Sequence, residues 1–167
     1  ALGRAVYATG EAFSVAFAGR VIADAEVIAQ YYRRNYAIEP DVIPYGAEFP
    51  EEHDSDVLER LGLRRGGYVL YVSRFEPENN PLEVVEAFEA LRDTRVPLVM
   101  VGAGLYAPDL VAELHRHEGE TVLFPGGLYG ADYRTLQRNA AIYIQATEVG
   151  GTHPALIEAM TSGGCVL

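Results

Sequence analysis

From residue 68 onward, short apolar runs alternate with stretches whose apolar positions recur every three to four residues. Residues 68–73 (YVLYVS) read as a buried strand, and 81–91 as a helix with apolar positions at Leu82, Val85, Ala87 and Phe88. The pattern repeats: a strand over 97–101 (PLVMV), a helix over 109–117, a strand over 121–124, a helix over 131–139 and a strand over 141–145 (AIYIQ). A last helix carries Glu158 and leads to a strand opening at Val166. This β-then-α order predicts an α/β fold, a Rossmann-like parallel sheet with helices on both faces. Ligands of such sheets sit beyond the carboxyl ends of the strands.

The first forty residues follow another pattern. Residues 20–23 predict one short strand, and 24–34 a helix with Val27, Ile28 and Tyr31 on one face. Residues 41–43 then read as a strand ending in the Pro44-Tyr45-Gly46 turn. Residues 1–40 are therefore read as the tail of another domain with a connector, and 41–167 as the α/β domain. The absence of an initiator Met and the stop at Cys165-Val166-Leu167 suggest a part of a longer protein, its fold incomplete at both ends. Repeats and low-complexity tracts are absent.

Composition removes several function classes. The chain has 167 residues, 49% hydrophobic and 22% charged, enough for one sizeable core. A net charge of −11 argues against a nucleic-acid surface, so an anionic ligand must be held by local features. The single cysteine, Cys165, excludes an internal disulfide and a Cys-based zinc cluster, and fits a reducing cytoplasm. No apolar run approaches the roughly 20 residues needed to cross a bilayer. The opening segment, interrupted by Arg4 and Glu11, makes a poor signal peptide.

Candidate chemistry concentrates in the run from Glu148 to Met160, EVGGTHPALIEAM. Gly150 and Gly151 let backbone approach a ligand, and Pro154 suits the first position of a helix. The unpaired N–H groups and positive dipole end of that helix make an anion site. Glu158 lies one turn further in, roughly 6 Å along the axis, where it can accept hydrogen bonds from hydroxyls beside the anion. A diphosphate attached to a ribose suits this layout; the plainer alternative is a loop-to-helix junction with a solvated glutamate. Arg74 closes the first strand of the unit, where phosphates bind, or else pairs at the surface with Glu76 or Glu78. Asn79 and Asn80 precede the helix at Pro81, and Asn80 is expected to cap it.

Other motifs say less. Gly102-Ala103-Gly104-Leu105-Tyr106-Ala107 approximates a dinucleotide fingerprint but follows the second strand rather than the first. Pro125-Gly126-Gly127-Leu128 either lets a flat base lie against backbone or simply turns the chain. His115 and His117 point to different helix faces, His53 falls in an acidic loop, and His153 borders the anion site, so no metal centre is expected.

In order and spacing these segments resemble the nucleotide-sugar-dependent retaining glycosyltransferases of family 4 (group 1), of GT-B fold. The resemblance runs from Val21-Ile22-Ala23-Asp24 through Ile43-Pro44-Tyr45-Gly46, Val72-Ser73-Arg74, Pro77-Glu78-Asn79-Asn80, Val101-Gly102-Ala103-Gly104 and Pro125-Gly126 to Leu156-Ile157-Glu158-Ala159-Met160. It implies that 41–167 is most of the donor-binding C-terminal half of GT-B, and that 1–40 ends the acceptor-binding half with its hinge. It implies that Glu158 binds the ribose hydroxyls and that Arg74, the catalytic candidate, binds the diphosphate. Backbone of Thr152, His153, Pro154 and Ala155 would hold phosphate and donor sugar, with Gly127 and Leu128 bordering the base. Two departures stand out: Gly150 replaces the family's usual first glutamate, and Asn79 replaces its usual lysine. Both, with the Gly-Gly-Thr-x-Pro run, resemble a rhamnosyltransferase-like subgroup linked to polysaccharide biosynthesis.

The resemblance thus implies transfer of a sugar from a nucleoside diphosphate sugar to an acceptor hydroxyl with retention, without metal or cofactor. The acceptor, a glycan or lipid-linked glycan, would be bound by the missing half, which would also make any peripheral membrane contact. The expected location is the cytoplasm, up to the inner face of the membrane. The chain alone would transfer nothing. The alternatives are a non-catalytic nucleotide-sugar-binding scaffold and a nucleotide-sugar epimerase on the same fold; an NAD-dependent enzyme is disfavoured by the misplaced glycines.

Overall fold

The computed structural model describes residues 2–48, 55–91, 95–148 and 150–167. The chain divides into two compact units, Ala1–Tyr45 and Gly46–Leu167. The strand at Asp41, placed in the second domain by sequence, pairs within the first unit.

The first unit contains helix α1 (Leu2–Phe17), strand β1 (Ile22–Ala23), helix α2 (Glu26–Tyr36) and strand β2 (Asp41–Val42), with β1 and β2 parallel. The sequence reading missed α1, whose residues are all exposed or partly so, although Leu2, Val6, Phe13 and Phe17 recur at helical spacing. The expected apolar face of α2 is largely uncovered: Val27 is exposed and Ala29 is the buried residue. Ala37, left-handed at φ 52°, ends α2.

The second unit runs α3 (Val57–Arg60), β3 (Val69–Val72), a 3-10 turn (Pro77–Asn79), α4 (Pro81–Glu89), β4 (Leu98–Val101), α5 (Pro108–Leu114), β5 (Val122–Gly126), α6 (Gly130–Asn139), β6 (Ile142–Ile144) and α7 (Pro154–Thr161). The strands are all parallel in the order β5-β4-β3-β6, and Val166 bridges Tyr143 on the far side of β6. Counting from β3, this is the 3-2-1-4-5 order of a Rossmann-like sheet. The expected fold class is therefore observed. The strand order reverses between β3 and β6, which fixes where a ligand crevice should open.

Alternation along the strands divides the core. Leu70, Val99 and Val101 pack on one face with Val57, Leu136 and Ala159 of α3, α6 and α7. Tyr71, Leu98 and Met100 pack on the other with Val84, Val85, Phe88 and Leu114 of α4 and α5. Period-two placement with helices over both faces makes each strand continuously apolar. On α4, Val85 and Phe88 are buried as expected and Leu82 is half-buried, while Ala87 is exposed and Val84 is buried in its place, because the helix turns Val84 and Phe88 inward at i, i+4.

Three tyrosines anchor this core through their hydroxyls. Tyr68 donates to the Leu136 carbonyl, Tyr71 to that of Asn79 at 2.7 Å and Tyr143 to that of Val72 at 3.4 Å. Burial is the largest cause raising all their pKa values, Tyr71 to about 12, and Tyr133 is raised likewise. Folded-state values above the unfolded one, about 10, mean that this stability is fully present below pH ~10 and lost as pH rises through the folded values. The chain is expected to hold its fold from neutral pH to about 10, then to unfold cooperatively in step with the last tyrosinate absorbance to appear, that of these four groups. Ionisation of all eleven tyrosines while the fold persists would contradict this assignment.

Candidate functional site: a cavity at the carboxyl ends of the strands

The loops leaving β3, β4, β5 and β6 converge with the start of α7 around a cavity of about 810 Å³. Its walls include Arg74, Gly127, Leu128, His153, Pro154, Ala155 and Glu158, all singled out in the sequence. Asn79, Gly150, Gly151 and Thr152 do not line it.

Arg74 leaves the end of β3 exposed, and its guanidinium makes no hydrogen bond or ion pair among the described residues. The surface pairing with Glu76 or Glu78 is therefore not formed, and the cation is available to the cavity. Its backbone is held firmly. Phe75 N–H donates to the Ala103 carbonyl at 3.0 Å, and the Asn79 amide donates to the Arg74 carbonyl at 2.8 Å. Asn79 is buried at 6% exposure and accepts from the Thr147 hydroxyl at 3.1 Å, which in turn accepts from the Gln145 amide at 2.9 Å. The loop after β6 thus pins the loop after β3 through an uncharged relay. Its short amide keeps Asn79 inside the loop rather than extended into the cavity.

Asn80 corrects another expectation. It occupies the N-cap position of α4, but its backbone is left-handed at φ 53° and its side chain makes no capping bond. A capping side chain requires extended backbone at that position. The Asn80 amide instead donates to the Ala146 carbonyl at 2.8 Å, a second tie between the same two loops.

Glu158 stands on α7, half-buried, facing the cavity. Tyr133 of α6 donates to its Oε2 at 2.5 Å, and the Gln137 amide supports both Tyr133 at 2.8 Å and the Ala155 carbonyl at 2.7 Å. Oε1 has no donor among the described residues, so the carboxylate is oriented on one side and open on the other. Burial raises the Tyr133 pKa first, followed by its bond to Glu158, which keeps the hydroxyl protonated as a donor. Tyr133 and Gln137 were missed in the sequence, although their i, i+4 spacing on α6 is the signal that would have found them.

At the start of α7, His153 has extended backbone with φ −95° and makes no side-chain cap, and Pro154 fills the first helical position. The Ala155 N–H is then the first the helix offers, with no helical carbonyl before it to accept. Gly150 has φ 147°, and a Cβ there would lie 3.1 Å from the His153 ring. Glycine at 150 is thus suited to the local backbone as well as to the packed imidazole.

The glycines after β4 serve packing. A Cβ on Gly102 would meet the Ser73 carbonyl oxygen at 1.9 Å, and one on Gly104 would meet that of Phe75 at 2.6 Å. They let the β3 and β4 loops lie against each other, which explains the fingerprint-like spacing. His115 and His117 contact Glu118 and Glu89 at 3.0 Å, and no His, Cys, Asp and Glu cluster of metal-binding type occurs among the described residues. His53 and Val149 lie outside the described residues. No described helix is long and apolar enough to cross a membrane.

The parallel Rossmann-like unit, with its helices on both faces, matches the C-terminal half of the GT-B fold. Residues 60–167 match the family of glycosyl transferases group 1, and the chain belongs to that family. No curated protein matches the chain. Among solved structures it resembles Anabaena Alr3699/HepE in complex with UDP and glucose, with 23% identity and a TM-score of 0.75 over 92% of this chain and 45% of that one. It also resembles a glycosyltransferase from Rickettsia africae, with 19% identity and a TM-score of 0.74 over 88% of this chain and 43% of that one. A third is the pneumococcal O-GlcNAc transferase GtfA with UDP and GlcNAc, 19% identical with a TM-score of 0.60 over 87% of this chain and 29% of that one. The chain therefore spans less than half the length of each of these proteins.

Proposed function

We propose that this chain binds a nucleoside diphosphate sugar in the cavity and, with an acceptor-binding half, transfers the sugar to an acceptor hydroxyl with retention. The observation that carries the reading is the meeting of unpaired Arg74, half-open Glu158 and the start of α7 around one cavity. Glu158 accepts from the ribose hydroxyls through Oε1 while Tyr133 holds Oε2. Arg74 and the Ala155 N–H hold the diphosphate and stabilise the charge that develops as it leaves. Gly127 and Leu128 border the base. Asn79 acts through the backbone of Arg74 and makes no direct contact with the donor. UDP is the first nucleotide to test, since Alr3699/HepE and GtfA were each solved with it.

The finer assignment follows the sequence resemblance: family 4, a rhamnosyltransferase-like subgroup, and polysaccharide biosynthesis in the cytoplasm up to the inner membrane face. Residues 1–40 would end the acceptor side, which takes a glycan or lipid-linked glycan, and 41–167 would be the donor side. No metal or other cofactor enters the proposed reaction.

Calorimetric titration of UDP, GDP and dTDP into the chain tests the reading. Glu158→Ala is expected to weaken the preferred nucleotide about tenfold by removing charge-assisted bonds to the ribose. Equal affinity before and after the substitution would refute the ribose assignment. A full-length protein that binds donor with no turnover would favour the scaffold alternative, and conversion of donor without acceptor would favour the epimerase.

A further inference from the structure

Glu76 is a buried residue of the cavity wall that no role above uses. It follows Arg74 and Phe75 in the loop after β3, is 8% exposed, and lines the cavity. No described residue donates a hydrogen bond to its carboxylate, and it forms no ion pair with Arg74. Carboxylates this buried are normally paired, because leaving one without donors is costly. No fully enclosed side-chain oxygen among the described residues lacks a partner, so the Glu76 carboxylate keeps an opening, and the space it borders is the cavity. It is an acceptor waiting for a donor from the ligand.

Charge decides which part of the ligand supplies that donor. A diphosphate would repel the carboxylate, and Arg74 is the group in the same loop that suits it. The base is expected at the β5 loop, at the opposite edge of the sheet order from the β3 and β6 loops that flank Glu76. Neutral hydroxyls remain. We propose that Glu76 accepts hydrogen bonds from hydroxyls of the transferred sugar and so selects a polyhydroxylated pyranose, an inference that rests on the donor-binding reading. A site built around such bonds discriminates strongly against analogues lacking the hydroxyl, which would strand the carboxylate again.

The test is titration of the wild-type chain, Glu76→Gln and Glu76→Ala with UDP, GDP and dTDP and with the glucose ester of each, with and without Mg²⁺. Glucose carries free hydroxyls around its ring and presents a donor wherever Glu76 reaches. For the preferred base, affinity for the glucose ester relative to the bare diphosphate should fall about tenfold in Glu76→Ala and less in Glu76→Gln. The bare diphosphate should bind equally or more tightly in both variants, since a negative charge leaves its surroundings, and this also shows that the variants are folded. Parallel loss for diphosphate and ester, or an unchanged ratio, would overturn the inference. So would a Mg²⁺-dependent loss, which would make Glu76 a metal ligand. Wild-type chain that binds none of these nucleotides would sink the donor-binding reading itself and this inference with it.

Discussion

Replacing Arg74 by alanine is expected to weaken nucleoside diphosphate binding by roughly ten- to hundredfold, on the basis of about 1.5–3 kcal/mol for a charge-assisted hydrogen bond. The expected size follows from context. The chain carries a net charge of −11, so its general field opposes an anion and the local cation must overcome it. No described residue occupies the guanidinium, so alanine breaks no internal pair and the whole effect should appear in binding. The backbone that presents it is held by Asn79 and Ala103, and neither bond depends on the side chain. Unfolding midpoints should therefore be nearly unchanged. The salt dependence of UDP affinity should also become shallower, because one screened attraction has gone. Arg74→Lys should recover part of the affinity as a point charge without the planar fork. A substitution that lowers stability but leaves affinity intact would mean that Arg74 is structural.

Gly102→Ala is expected to cost about 2–3 kcal/mol of stability or more, the upper range for overpacking. A Cβ 1.9 Å from the Ser73 carbonyl oxygen cannot be relieved by a side-chain rotation, since the obstacle is backbone. The β3 loop would have to separate from the β4 loop, breaking the registration in which Ser73 N–H donates to Val101 and Phe75 N–H to Ala103. Because the same loop carries Arg74 and Glu76, nucleotide affinity should fall together with stability. Gly119→Ala is a suitable comparison: nothing lies within 4 Å of its added Cβ and its backbone needs no glycine. That variant should be neutral or slightly stabilising, by up to about 1 kcal/mol. Equal urea midpoints for the two variants would show that the loops are not packed as described.

The sheet was legible because each strand is apolar on both faces and each helix is announced by a proline or a charged first turn. Pro81, Pro108 and Pro154 all fall at first helical positions. The site was legible where chemistry is local, as at Arg74 beyond a strand end and Glu158 one turn into a helix. It was not legible where the roles depend on partners distant in sequence. Tyr133 reaches Glu158 across 25 residues, and Asn80 reaches Ala146 across 66. Asn80 also shows a limit of motif reading: the residue type suits a cap, but its left-handed backbone sends the amide elsewhere. The Gly102 and Gly104 pair has the opposite lesson, since spacing like that of a ligand-binding turn arises here from two loops in contact. Helix α1 does carry apolar residues at helical spacing, Leu2, Val6, Phe13 and Phe17, the signal that would have found it; Gly3 and Gly10 lower its intrinsic helix propensity and mask that signal.

The central claim is that a nucleoside diphosphate lies across the carboxyl ends of β3 and β6 with its ribose on Glu158. A crystal structure of the chain grown with UDP tests it most directly. The account predicts both ribose hydroxyls within hydrogen-bond distance of Glu158, Tyr133 still on the other carboxylate oxygen, and the diphosphate between Arg74 and the Ala155 N–H. UDP bound outside this cavity, or within it with the ribose turned away from Glu158, would contradict the account.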